Sequence, residues 1–297
     1  MPRTAYVNGR YLPHAKAAVH IEDRGYQFAD GVYEVVPVHR GILVDEELHL
    51  DRLERSLGEL RIAMPMRREA LKLISRQVMR RNQLSNGFLY MQITRGVAPR
   101  DHKFPTAAKP AVVMTVRQMK PASPEKLEKG VSVITVPDIR WARRDIKSVS
   151  LLPNCLAKQQ AHEAGAMEAW MVEADGRVTE GTSTNAWIVT QDNVLVTRNA
   201  NQDILNGITR MALLDRIAEE GVTFEERAFT VEEARAAKEA FITSSTNYVM
   251  PVTAIDGKPV GNGHPGILTM KLREAYVSHI EGAAGGASGA EEAKTAA

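Results

Sequence analysis

The stretch from Arg117 to Gly130 is polar and carries Pro121 and Pro124, so neither a long strand nor a long helix can run through it. It divides a chain of 297 residues into two parts, each long enough to bury a core of its own. The organisation expected is a domain over residues 1–118, a linker over 119–125 and a second domain over 126–281. A disordered tail is expected over 282–297, where Ala, Gly and Ser dominate.

In the first part, Asn8-Gly9 between Ala5-Tyr6-Val7 and Arg10-Tyr11-Leu12 predicts a two-residue hairpin. The β-branched run from Gly31 to Val38 predicts a strand that turns through His39-Arg40-Gly41 into Ile42-Leu43-Val44. Leu50, Leu53, Leu57 and Leu60 recur at helical spacing, which predicts a helix over 48–60, and the pattern repeats over 70–82. Strands are expected over 88–94 and 111–116. In the second part, strands are expected over 131–136, 168–172, 186–189 and 240–242, and helices over 154–164, 210–220 and 268–280. With no internal repeat, this mixture of hairpins and helices predicts two halves of α/β or α+β type.

Composition narrows the function classes. Lys plus Arg is 38 against 36 for Asp plus Glu, a formal net charge of +2, which argues against a nucleic-acid partner. Arg67, Arg68, Arg76, Arg80 and Arg81 read as a solvated helix face ahead of a phosphate patch. No apolar run reaches membrane-spanning length. The single cysteine, Cys155, cannot form an intrachain disulfide, and no signal peptide is evident, so a reducing cytoplasm is expected. Cys155 itself reads as a buried apolar residue among Leu151, Leu152 and Leu156 ahead of a nucleophile. Gly261-Asn262-Gly263-His264-Pro265-Gly266 fits a dinucleotide fingerprint literally, but only one helix follows, so a turn capping that helix is expected. The histidines lack metal-ligand spacing and no serine-hydrolase elbow is present, so neither a metal nor serine hydrolase chemistry is expected.

Four segments carry chemistry. In Asp145-Ile146-Lys147-Ser148-Val149 a lysine sits in a strand-like apolar stretch, where desolvation favours the neutral amine that forms Schiff bases; alone, it reads first as a surface lysine. In Val178-Thr179-Glu180-Gly181-Thr182-Ser183-Thr184-Asn185 a carboxylate precedes hydroxyls, which suits a cationic ring nitrogen or a plain hairpin turn. Asn206-Gly207-Ile208-Thr209-Arg210 opens a helix, where free N–H groups bind phosphate or a threonine caps. Thr243-Ser244-Ser245-Thr246 clusters hydroxyls after an apolar strand, again a phosphate cradle or a polar turn.

From about Tyr6 to Ile280 the chain resembles the fold-type IV pyridoxal-phosphate (PLP) enzymes, and within them the D-amino acid transaminases. The resemblance is carried by residues 22–36 (EDRGYQFADGVYEVV), His49-Leu50-Asp51-Arg52-Leu53, residues 94–102 (TRGVAPRDH), Asp145-Ile146-Lys147-Ser148 and Leu205-Asn206-Gly207-Ile208-Thr209-Arg210, all in the family's order. It implies a small N-terminal α/β domain followed by a larger, barrel-like C-terminal α/β domain.

The resemblance also implies roles. Lys147 matches the Schiff-base lysine and Glu180 the carboxylate that pairs with the pyridine nitrogen. Arg52, Ile208, Thr209, Ser244 and Ser245 match positions that hold the cofactor phosphate, the isoleucine through its backbone. Tyr33, Arg100 and His102 match the group that traps the substrate carboxylate, with the arginine and histidine reaching in from the partner of a homodimer. The implied reaction moves the amino group of a D-alanine-like D-amino acid to 2-oxoglutarate or pyruvate by ping-pong kinetics, with the cofactor alternating between PLP and pyridoxamine phosphate (PMP).

The enantiomer follows from where the substrate carboxylate is held, because the Cα–H bond must point at the lysine. The Pro-Arg-x-His segment at Arg100-Asp101-His102 looks like the D-specific clamp. The alternatives in the same family are L-branched-chain transaminases and aminodeoxychorismate lyases, which lack that signature. Thr182 and Ser245 exchange one hydroxyl residue for another relative to the family's usual pattern. Asn247-Tyr248 is unlike that pattern and bears on the substrate side chain.

Overall fold

The computed structural model describes residues 3–120, 122–219 and 221–295. The chain falls into two compact units. The first takes the chain up to Lys120 together with Ile146–Ser150, and the second comprises Pro121–Asp145 and Leu151–Ile280.

The first unit contains β1 (Thr4–Val7), β2 (Arg10–Pro13), α1 (Arg24–Phe28), β3 (Gly31–His39), β4 (Ile42–Leu43), α2 (Glu46–Glu59), α3 (Arg68–Arg81), β5 (Gly87–Thr94) and β6 (Ala111–Gln118). Its six-stranded sheet runs β2-β1-β6-β5-β3-β4, with every pairing antiparallel. The β1–β2 turn places Asn8 and Gly9 at positive φ, 46° and 89°, the left-handed pair that a tight hairpin needs. Alternation sorts the faces. Val32, Val36 and Val38 of β3 join Leu89, Met91 and Ile93 of β5 and Val112, Met114 and Val116 of β6 in the core, against Leu50, Leu53 and Leu57 of α2 and Leu71 and Val78 of α3. Of the arginines expected to form a solvated face on α3, Arg68 and Arg76 are ion-paired. Arg68 reaches Glu47, Asp51 and Glu54, and Arg76 reaches Glu46.

Ile146–Ser150 completes this unit. Ser148 bridges Val32 antiparallel, the Tyr33 N–H donates to the Lys147 carbonyl (3.0 Å), the Val149 N–H donates to the Gly31 carbonyl (3.0 Å), and Ile146 enters the core. The segment thus extends along β3.

The second unit contains α4 (Pro124–Lys129), β7 (Val131–Pro137), α5 (Leu152–Glu163), β8 (Glu168–Val172), β9 (Val178–Gly181), β10 (Asn185–Val189), β11 (Leu195–Thr197), α6 (Ile208–Glu219), β12 (Phe224–Glu226), α7 (Val231–Ala236), β13 (Glu239–Ser244), β14 (Tyr248–Ile255), β15 (Lys258–Pro259) and the start of α8 (Ile267–Thr295). The sheet runs β12-β11-β10-β13-β14-β7-β8-β9, with β15 on β14. It curls because its terminal strand β9 leads directly into β10, the Gly181 N–H donating to the Thr184 carbonyl at 2.8 Å. Its mixed α/β content and curled half-barrel agree with the expected fold.

The structure departs from or refines four local expectations. The polar stretch after β6 holds the short helix α4, because Ser123 accepts from the Lys126 N–H as N-cap and Pro124 suits the first turn. Cys155 is exposed, contrary to the burial expected of it. The buried residues of α5 are Ala157 and Ala161, one turn apart, and Cys155 points away from them, as do the exposed Leu152 and Leu156. The backbone of α8 continues past Gly282 to Thr295, where composition predicted disorder, because alanine favours helix; the last two residues lie outside the described range. The glycine-rich turn leads into α8, but the side-chain cap comes from β13. Glu239 accepts from the N–H groups of Leu268 (3.1 Å) and Thr269 (2.8 Å).

Candidate active site

In the first unit, one face of β3 carries Tyr33 and the other carries Glu34. Lys147 is half-buried, with Nζ 4.4 Å from the centroid of the Tyr33 ring. Tyr33 in turn stacks on Tyr90 at 5.9 Å. Burial, aided by Tyr33, pushes the Tyr90 phenol up to about 12, so it stays neutral.

On the opposite face, Glu34 is buried and accepts from Arg52 Nε (2.8 Å), Arg52 Nη2 (2.7 Å) and His49 Nδ1 (2.7 Å). Burial alone would raise the Glu34 carboxyl. The Arg52 guanidinium and the His49 imidazole outweigh it and hold Glu34 at about 2. Burial lowers His49 despite Glu34, so a neutral imidazole donates from Nδ1 to an ionised carboxylate. His49 and Arg52 lie three residues apart on α2, hence on the same face.

Arg100 and His102 are exposed and share one aromatic support. Phe28 at the end of α1 has the Arg100 guanidinium 4.9 Å from its ring and the His102 ring 5.4 Å away. Arg24 sits over the same ring at 4.7 Å and donates to the Asp101 carbonyl at 2.5 Å. Asp30 anchors this arrangement by accepting from Arg24 Nε (2.8 Å) and from Arg95 Nε and Nη2 (2.7 and 2.9 Å).

In the second unit, Glu180 is buried at the end of β9. One carboxylate oxygen takes Arg140 Nη1 at 2.5 Å and the other takes Asn185 Nδ2 at 3.0 Å, and both face the Leu205 N–H at 3.3 and 3.2 Å. Asn185 Nδ2 also donates to the Leu205 carbonyl at 2.9 Å, which ties the carboxylate to the loop opening α6. Burial pushes Glu180 up, further than Arg140 pulls it down.

That loop passes so close to Asn185 that a Cβ on Gly207 would fall 2.1 Å from Asn185 Oδ1. Ile208 and Thr209 follow as the first residues of α6, where backbone N–H groups have no intrahelical acceptor. Thr209 Oγ1 lies 3.4 Å from Tyr276 Oη, and the Tyr276 ring packs at 5.6 Å on Tyr248, which closes the β13–β14 turn that carries Ser244 and Ser245. Ser244 Oγ accepts from the Asn247 N–H at 3.1 Å. Glu180, Ile208, Thr209 and Ser244 are therefore linked through Asn185, Leu205, Tyr276 and Tyr248.

A family model described as amino-transferase class IV matches residues 31–255. The chain belongs to the class IV aminotransferases. It is 45% identical to a D-alanine aminotransferase of Bacillus licheniformis over 92% of this chain and 95% of that one. It is 40% identical to a D-alanine aminotransferase of Staphylococcus epidermidis over 93% and 97%. Among solved structures, a branched-chain amino acid aminotransferase of Escherichia coli superposes with a TM-score of 0.86 at 22% identity over 94% of each chain, a likeness of fold alone.

The cofactor of this aminotransferase is pyridoxal phosphate. Its residues fit that group. Phosphate suits the α6 N-terminus, whose opening loop can pack against Asn185 because Gly207 lacks a Cβ. A protonated ring nitrogen suits a buried carboxylate, and an aldehyde suits a lysine amine.

The sequence assigns no role to Asp138 or Arg140, nor to Glu34 and His49, although the last two fall in segments that carry the resemblance. Glu34 had a signal, being a carboxylate in the inward register between Val32 and Val36. Arg140 had little, since Asp138-Ile139-Arg140 reads as an ordinary loop after β7.

Proposed function

We propose that this aminotransferase is a homodimeric, cytoplasmic enzyme that transfers the amino group of D-alanine-like D-amino acids to 2-oxoglutarate or pyruvate. The observation that carries the reading is the buried Glu180 carboxylate, held by Arg140, Asn185 and the Leu205 N–H beside the opening of α6. The two D-alanine aminotransferases at 45% and 40% identity support the choice of enantiomer.

Lys147 would hold the cofactor covalently through Nζ, and Glu180 would pair with its ring nitrogen. Arg52, the backbone of Ile208, Thr209, Ser244 and Ser245 would hold its phosphate. When bound, pyridoxal phosphate supplies an electron sink for the charge left on the substrate α-carbon. Once the substrate's amine has replaced it on the cofactor, the freed Lys147 amine would be the base that takes the α-proton. Tyr33, Arg100 and His102 bind the substrate carboxylate, the arginine as a planar fork. Fixing the carboxylate turns the α-hydrogen of one enantiomer toward Lys147. The donor leaves as a 2-oxo acid before the acceptor binds, so one site serves both half-reactions.

Arg100 and His102 are exposed on a unit that also exposes Ile21, Tyr26, Val97 and Phe104. An apolar surface of this kind supports a homodimer in which each chain lends Arg100 and His102 to its partner. The lone, exposed thiol of Cys155 fits a reducing compartment. Among the described residues no helix is long and apolar enough to cross a membrane.

Steady-state assays with D-alanine and 2-oxoglutarate test the reading. Parallel double-reciprocal lines and no turnover of L-valine are expected. Turnover of L-valine alone would favour the branched-chain reading, and pyruvate release from aminodeoxychorismate without an acceptor would favour the lyase.

A further inference from the structure

We propose that Arg140 is a positioning residue that keeps the Glu180 carboxylate charged and in one orientation, so that it can pair with the cofactor's protonated ring nitrogen. The inference rests on the reading of Glu180 given above and adds a residue to it.

The geometry is that of a built clamp. The Arg140 side chain is 7% exposed and that of Asp138 is fully buried. Asp138 takes Arg140 Nε on one oxygen (3.0 Å) and Nη2 on the other (2.7 Å), and it also accepts from the Arg140 backbone N–H (3.0 Å). This fork-on-fork pair fixes the guanidinium plane. Thr179 Oγ1 donates to Asp138 at 2.7 Å and accepts from Arg140 Nη2 at 3.3 Å, which locks the pair to β9 one residue before Glu180. Nη1 is left to meet Glu180 at 2.5 Å. Arg144 faces the far side of Asp138 at 3.4 Å. Arg140, Asp138 and Arg144 are thus the charged groups gathered about Glu180.

Physical chemistry explains why the clamp is needed. A carboxylate sealed in the protein is driven toward its neutral form. A neutral Glu180 could accept a hydrogen bond but could not neutralise a pyridinium. Asn185 and the Leu205 N–H orient the carboxylate without supplying charge. Arg140 is the cation in direct contact with it, and its charge is secured by Asp138 and Glu180.

The test compares native enzyme with Arg140→Met, Arg140→Gln and Arg140→Lys, all labelled with carboxyl-13C glutamate. In apoenzyme, the Glu180 resonance is identified by its loss in Glu180→Gln and followed against pH. The Glu180 midpoint is expected to rise by at least about one pH unit, tenfold in the ionisation constant, in the Met and Gln variants. It should stay near the native value in Arg140→Lys. In enzyme loaded with ring-15N cofactor, native and Lys forms should show a protonated ring nitrogen, and the Met and Gln forms a deprotonated one. Their kcat should fall about tenfold or more with KM little changed. Unmoved Glu180 titration in both neutral variants would overturn the proposal. A moved titration together with an unprotonated ring nitrogen in native enzyme would overturn the underlying reading of Glu180 instead.

Discussion

Arg52 lies flat against Glu34, its Nε and Nη2 2.8 and 2.7 Å from the two carboxylate oxygens, on the face of β3 opposite Tyr33. A residue expected to hold the cofactor phosphate is thereby set by a buried ion pair reaching from α2 to the strand that also supports Lys147. Breaking one partner of such a pair leaves the other buried and uncompensated. Glu34→Gln should destabilise the enzyme by about 3–5 kcal/mol in urea unfolding. An effect below about 1 kcal/mol would show that the pair is not buried in solution.

The same cluster makes stability depend on pH. Glu34 is held at about 2 against an ordinary 4.5, so its contribution is full above the ordinary value and is lost as pH falls toward 2. His49 is lowered from 6.5, so its contribution is lost as pH falls through about 6.5, where the unfolded chain binds a proton that the folded one refuses. Both act in one direction. The urea midpoint should drop between pH 7.5 and 5.5, and His49→Asn should flatten that slope.

Gly207→Ala places a methyl group 2.1 Å from Asn185 Oδ1, so either the 205–208 loop or Asn185 must move. Because Asn185 holds both Glu180 and Leu205, cofactor affinity should fall by roughly 10–100-fold, with a stability loss of about 1–3 kcal/mol. Fluorescence titration of apoenzyme with pyridoxal phosphate measures it. Unchanged affinity would separate this loop from the cofactor.

Lys147→Ala should lower kcat by about a thousandfold or more and remove the visible absorbance of the bound cofactor, with urea unfolding little changed. Activity near the native level would place the base elsewhere.

Arg100 and His102 rest on Phe28. Arg100→Ala should raise KM for D-alanine by about 10–100-fold. Phe28→Leu should do so less strongly, by loosening the support without removing a donor. Equal KM values in native and Arg100→Ala enzyme would contradict the carboxylate clamp.

Much of the fold was legible because it is local. Asn8-Gly9, the alternation of β3, β5 and β6, and the leucines of α2 each name their element from neighbouring residues. What escaped is long-range. Nothing near residue 147 says that Ile146–Ser150 lies along β3, because that pairing joins residues more than a hundred positions apart. Among the site residues, Lys147 and Glu180 stood out by chemical type, and the resemblance supplied their roles. Arg140 and His49 did not stand out, because their meaning lies in partners on other elements. Cys155 is exposed despite its apolar sequence neighbours, because these are not its neighbours in space on a helix whose buried face is set by Ala157 and Ala161.

The measurement that tests the central claim most directly is the absorbance spectrum of the holoenzyme mixed with D-alanine or with L-valine, with no acceptor present. The visible band of the bound cofactor should give way to the near-ultraviolet band of pyridoxamine phosphate with D-alanine and stay unchanged with L-valine. The same conversion with L-valine and none with D-alanine would contradict the account and make the 100–102 loop a clamp for the other enantiomer.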